Sequence, residues 1–172
     1  ATGHPLLGAG SQVAGTDMAV FTTAIAKSAP SWVSDHVVME QTIFPAAGFM
    51  ELMAAAAEVV GGDERWDLGR VVISAPLSLP ERGDVRIQVT VDGLEDDESR
   101  RVRVYSGQSD DSWVLHTEAK LLRRGEEPPP EPASALPPDE AEALDVEDMY
   151  PLLAESGSVS YTHLTLPTKD SV

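Results

Sequence analysis

The clearest pattern along the chain is strict alternation. From Val85 the sequence VRIQVTV puts Val85, Ile87, Val89 and Val91 on one face and Arg86, Gln88 and Thr90 on the other, the period of a half-buried β-strand. Val102 and Val104, then Trp113, Leu115, Thr117, Ala119 and Leu121, repeat that period. The acidic, glycine-containing stretches Asp92 to Ser99 and Ser106 to Ser112 read as turns between antiparallel neighbours. Val71 to Leu79 is a further apolar strand candidate, which Pro76 and Pro80 confine to a bulge or an edge. In this frame His116 shares a face with Val114, Glu118 and Lys120, away from Trp113 and Leu115, which suits a surface or sheet-packing role.

One segment breaks the period. From Pro45 to Val60 the pattern predicts a helix: proline suits the first helical position because its missing N–H has no partner there, and Gly61-Gly62 gives a stop. Phe49, Met50, Leu52, Met53 and the run Ala54 to Ala57 leave little polar face, so the helix is expected to be buried and a sheet must wrap it. The fold class is therefore α+β, an antiparallel sheet around one long apolar helix. Glu51 and Glu58, seven apart, are read as solvated or capped ends of that helix rather than as paired carboxylates.

The texture changes after Arg123. Six prolines (Pro128, Pro129, Pro130, Pro132, Pro137 and Pro138) fall within eleven positions, and nine carboxylates lie between Glu126 and Asp148 with no Lys or Arg. Such a segment is extended and solvated. Residues 1–123 are thus expected to form one unit, 124–148 an acidic proline-rich linker and 149–157 the start of another unit.

Charge and composition narrow the partners. The 172 residues carry 29 acidic against 12 basic side chains, a formal charge of −17, and no dense cationic face exists to bind nucleic acid or an anionic membrane. Cysteine is absent, which removes disulfides, thiolate metal sites and a cysteine nucleophile. The longest apolar stretch, Ile43 to Val60, is interrupted by Pro45, Glu51 and Glu58 and does not make a transmembrane span. No signal-like segment opens the chain, so a soluble, cytoplasmic protein is expected.

The chemistry concentrates in SWVSDHVVMEQTIFPAAGFME, Ser31 to Glu51. Asp35-His36 sits in a strand-like run, and Pro45 opens the helix nine residues later. This spacing brings an imidazole beside a helix N-terminus, where free N–H groups and the positive dipole end favour a developing oxyanion. Asp35, next to His36 on a strand, is expected to face the other way and to serve structure. His4 is read as structural, fixing the start of the domain. No metal site is assigned, because His4, His36 and His116 lack short ligand spacing. The run Glu95 to Glu98, EDDE, lacks the spaced ligands of a calcium loop and reads as a hairpin tip.

The same segment resembles the HxxxGxxxxP signature of dehydratase domains in modular polyketide synthases and animal-type fatty acid synthases. His36 and Pro45 match it, and Glu40 stands at the glycine position. HPLLGA at His4 to Ala9, PSWVSDH at Pro30 to His36, APLSLPERG at Ala75 to Gly83, and the RVRVYS and WVLHTEAKL strands carry the same resemblance. It implies a double hotdog, of which residues 1–123 would be the N-terminal half, with the active site between the halves. It further implies removal of water from a 3-hydroxyacyl thioester held on the phosphopantetheine arm of an acyl carrier protein, giving an enoyl thioester. His36 would be the base and an aspartate of the second half the acid, while Glu40, Pro45, Ala46 and Ala47 would form the substrate and oxyanion side. No cofactor would be bound directly, and the partners would be the carrier protein and other synthase domains in cis, with a homodimer through the dehydratase. An inactive structural dehydratase-like domain and a ring-closing, product-template-type domain share this framework. The match stops near Gly157, and Val159 to Thr168, VSYTHLTLPT, resembles a translated sequencing adapter, so 158–172 is expected to be non-native and the fragment as given to be inactive.

Overall fold

The computed structural model describes residues 2–107, 112–125, Pro151, Glu155 and 158–160. The strands are β1 (Ala9–Gln12), β2 (Ala19–Ala26), β3 (His36–Val38), β4 (Gln41–Thr42), β5 (Trp66–Ile73), β6 (Asp84–Val91), β7 (Arg100–Gly107), β8 (Trp113–Arg123) and β9 (Ser158–Ser160), and the helix α1 spans Ala46–Gly61. A six-stranded sheet runs β1-β2-β6-β7-β8-β5 and a three-stranded one β4-β3-β9, with every pairing antiparallel. The large sheet packs on α1 through β5, β6, β7 and β8. This is the hotdog arrangement.

The alternation seen from Val85 is what builds the core. In register, Val89 faces Val104 and Val91 faces Val102, and all four are 0% exposed. Against this row α1 sets Phe49, Leu52, Met53 and Ala55 to Ala57, all buried; each large side chain so buried contributes about 1.5–3 kcal/mol. The three alanines let the helix backbone lie close to the sheet. Pro45 is the N-cap, with extended backbone, rather than the first helical residue, and the helix ends at Gly62, whose φ of +60° serves as the C-cap.

Two bulges explain where the strand expectations and the structure part. On β8 the register shifts between Val104 and Tyr105, so that Val104 faces Thr117 and Tyr105 faces Leu115, with His116 between them. A bulge adds one residue and re-aims the side chains beyond it. Trp113 is therefore exposed while His116, Thr117, Ala119 and Leu121 are buried; these residues do not share one face, and His116 lies inside. On β5 the register shifts between Gly69 and Val72, next to Arg70 at φ +51°. The strand runs from Trp66 and ends at Ile73, whereas the apolar pattern had suggested 71–79. Residues 77–79 instead form a bridge to the chain beside β4, Ile43 with Ser78.

The six-stranded sheet and α1 lie between residues 9 and 123. The expected linker lies outside the described residues apart from Arg124 and Gly125, as does the 149–157 segment apart from Pro151 and Glu155. Of 158–172 only β9 is described, paired with β3. Among the described residues no helix is long and apolar enough to cross a membrane.

Candidate active site

The site is built from a turn, a hairpin and a helix start that follow one another in sequence. Ser31–Asp35 forms a 3-10 helix rather than a strand. Val33 N–H donates to Pro30 O at 3.1 Å, the Ser34 hydroxyl donates to Ser31 O at 2.7 Å, and Val33 is fully buried as the anchor. Alternation consequently does not govern Asp35, which lines the same cleft as His36.

β3 and β4 then form a tight hairpin in which Val38 faces Gln41. Met39 and Glu40 are its two turn residues, at φ +48° and +64°, the left-handed pair of a type I′ turn. This gives the motif glycine a plain physical reason, since position 40 needs a left-handed backbone. Glu40 is exposed there.

At the other end of the hairpin, Ile43 N–H donates to His36 O at 3.0 Å, and His36 Nδ1 lies 2.7 Å from Ile43 O. A carbonyl oxygen only accepts, so Nδ1 carries the proton and Nε2 keeps its lone pair. The hairpin is held in place by Phe44 N–H to Leu77 O at 2.8 Å and Leu79 N–H to Thr42 O at 2.9 Å. Pro45 and α1 follow directly. The first N–H groups of a helix have no partner within it, and α1 has neither a side-chain cap nor an acid in its first turn to neutralise its positive end.

These elements enclose a cleft of about 310 Å³ lined by Leu6, Trp32, Asp35, His36, Pro45, Ala47, Gly48 and Glu51. A larger cavity of about 460 Å³ lies beside Val59, Val60 and Arg100, toward the other end of α1, and contains no histidine. The smaller cleft is the one that holds His36. An aromatic chain backs it: Trp32 to Phe44 with ring centroids 6.1 Å apart, Phe44 edge-on to Phe49 at 5.0 Å, and Phe49 stacked on His116 at 5.9 Å. His116 is 3% exposed. Its Nδ1–H donates to Ala75 O at 3.1 Å, leaving Nε2 to accept from the Ser106 hydroxyl at 2.8 Å. Both nitrogens are used inside the fold, and His116 does not line the cleft.

Of the residues predicted from sequence, His36, Pro45 and Ala47 come together at the cleft, while Glu40 and Ala46 are exposed and do not line it. Sequence reasoning missed Leu6, Trp32, Gly48 and Glu51. Gly48 carried a readable signal, a glycine inside an apolar helix: a Cβ there would lie 2.5 Å from Phe44 Cζ. Among the described residues no cluster of His, Asp or Glu is arranged to hold a metal.

A hotdog with an imidazole at the mouth of its helix, beside a mostly apolar cleft, is the class of protein this geometry defines. The comparisons narrow it. Residues 4–107 match the family described as polyketide synthase dehydratase domain. The mycoketide-CoA synthase of Mycobacterium tuberculosis is 37% identical over 158 residues, 91% of this chain and 4% of that protein. The pikromycin synthase component PikAII of Streptomyces venezuelae is 33% identical over 160 residues, 90% of this chain and 4% of that protein. Among solved structures, the dehydratase domain from the terminal module of the rifamycin polyketide synthase is 37% identical with a TM-score of 0.83, covering 93% of this chain and 58% of that one. The erythromycin dehydratase is 28% identical with a TM-score of 0.81, covering 94% and 60%. The chain belongs to the polyketide synthase dehydratase domain family, as the N-terminal hotdog half. It spans a small fraction of the curated synthases and somewhat over half of the solved domains.

Proposed function

We propose that this chain is the histidine-bearing half of a dehydratase domain that removes water from a 3-hydroxyacyl thioester delivered on the phosphopantetheine arm of an acyl carrier protein. The observation that carries the reading is the His36 tautomer, with Nδ1–H committed to Ile43 O and Nε2 available to the cleft. A neutral imidazole, with an unperturbed pKa of about 6.5, suits abstraction of the proton beside a thioester carbonyl near neutral pH. The N–H groups at the start of α1 would hold the enolate-like oxygen, with Pro45 and Ala47 forming the floor beneath it. The proton donor for the departing hydroxyl would be a carboxylic acid of the second hotdog. A tethered substrate arrives at high effective concentration, so an acidic surface is no obstacle to an acidic carrier.

The domain division belongs to the same proposal: residues 1–123 as the first hotdog, 124–148 as connector, 149–157 as the opening of the second unit and 158–172 as adapter-derived sequence. Long-read sequencing of the locus tests the last part. A genomic frame that continues through VSYTHLTLPT would overturn it.

Glu40 favours one rival, a dehydratase-like domain retained for structure. The hairpin nevertheless closes around Glu40 with the His36 to Ile43 bond intact, which supports the catalytic reading. In the full-length gene product, His36→Ala is expected to lower enoyl formation by about 100-fold to 10,000-fold, read by mass spectrometry of the carrier-bound acyl group. Undiminished dehydration by that variant would remove His36 from the chemistry.

A further inference from the structure

A second histidine belongs to the cleft in a different way. His4 Nδ1 accepts hydrogen bonds from the backbone N–H groups of Leu6 and Leu7, both at 3.2 Å. A nitrogen that accepts has no proton, so the proton is on Nε2, which donates to Glu51 Oε1 at 3.0 Å. His4 is therefore in the tautomer opposite to that of His36, and both of its nitrogens are used. One side of the ring holds the N-terminal segment, the other holds α1.

What this bond joins matters for the cleft. Leu6 and Glu51 both line it, yet they are 45 positions apart in sequence. The segment from Thr2 to Gly8 belongs to no strand. Leu7, 1% exposed, is sunk in the core, and Gly8 lies so close to β2 that a Cβ would sit 2.1 Å from Thr22 O. The far end of the segment is thus fixed by packing, while its near end is fixed to the helix by His4.

We infer that His4 and Glu51 are positioning residues: a clasp between the N-terminal segment and the second turn of α1 that holds Leu6 as a wall of the His36 cleft and so sets how the acyl chain lies there. The substrate part of this inference rests on the dehydratase reading; the clasp itself does not. The pair is partly open to water, with side chains 22% and 59% exposed, so its contribution comes from geometry and not from charge. A carboxamide oxygen at position 51 accepts the same Nε2–H, and Glu51→Gln is therefore expected to keep the clasp.

Two measurements test it. On the present chain, imidazole 15N NMR is expected to show His4 protonated at Nε2 and His36 at Nδ1, and His4→Ala is expected to speed exchange of the Leu6 and Leu7 amides by about ten-fold or more. His4 protonated at Nδ1, or amides unaffected by the substitution, overturns the clasp whatever the activity. In the full-length product, His4→Ala and Glu51→Ala should each lower kcat/KM about ten-fold, chiefly through KM. Their double variant should be no worse than either, and Glu51→Gln, which keeps the acceptor, should recover most of what Glu51→Ala loses. The pH dependence of kcat should keep its midpoint in all of them, since the base is untouched. A shifted midpoint would make His4 part of the chemistry, and additive losses would separate the two residues; either result overturns the inference. A full-length protein that forms no enoyl product overturns the dehydratase reading and the substrate role together, while the NMR result still decides the clasp.

Discussion

At position 40 a single residue separates the chain from its family signature, and the hairpin shows what the difference costs. Glu40 stands at φ +64° in a two-residue turn, where glycine carries no Cβ penalty. Glu40→Gly is expected to stabilise the fold by about 0.5–1 kcal/mol, read from the urea midpoint at unchanged slope. No change, or a loss, would show that the turn is not strained. Gly48 is the opposite case. Gly48→Ala gains helix propensity but drives a methyl into the Phe44 ring, and a net loss of about 1–3 kcal/mol is expected by the same measurement. His36 and Pro45 were legible in sequence because their spacing expresses a local construction, one hairpin followed by one helix start. The tautomer of His36 was not, since it depends on a main-chain carbonyl whose direction no side-chain pattern encodes.

Among the elements, the turn between β6 and β7 carries the clearest pH signature. Asp97 accepts from the Lys120 ammonium and from the Ser99 hydroxyl, and these hold its carboxyl down to about 2 from the usual 3.8. A carboxyl whose folded pKa is depressed lends stability above its unfolded value, and that stability is lost as pH falls from 3.8 toward 2. Lys120→Met is expected to return the Asp97 midpoint toward 3.8, followed by carboxyl 13C NMR. An unmoved midpoint would leave Ser99 as the cause. Element types were readable wherever one face is buried and the period unbroken, as in β6 and α1. They were not where a bulge resets the period, and the side chain re-aimed by the β8 bulge, His116, is also the one tied into the core by two hydrogen bonds. Short β1 and alanine-diluted β2 gave no period to read: of AVFTTAIA only Phe21 and Ile25 are buried.

For the whole molecule, the charge divides unevenly. Residues 1–125 contain 11 basic and 18 acidic side chains, a net of −7, so most of the −17 lies beyond the six-stranded sheet. A chain ended at Gly125 retains that sheet and α1 and is expected to unfold cooperatively, with both far-UV and near-UV circular dichroism preserved; loss of the near-UV signal would show that the later residues complete the core. Large apolar side chains lie exposed at Trp32 (40%), Val38 (37%), Met39 (79%) and Met50 (41%), and of these Trp32 lines the cleft. The bond that orients His36 ends on the Ile43 carbonyl, and that has an evolutionary consequence. Because the partner is main chain, no exchange of one side chain for another at position 43 deletes it. The acceptor for the imidazole proton therefore survives as the surrounding side chains change, and only an altered hairpin backbone, such as a change in its length, removes it.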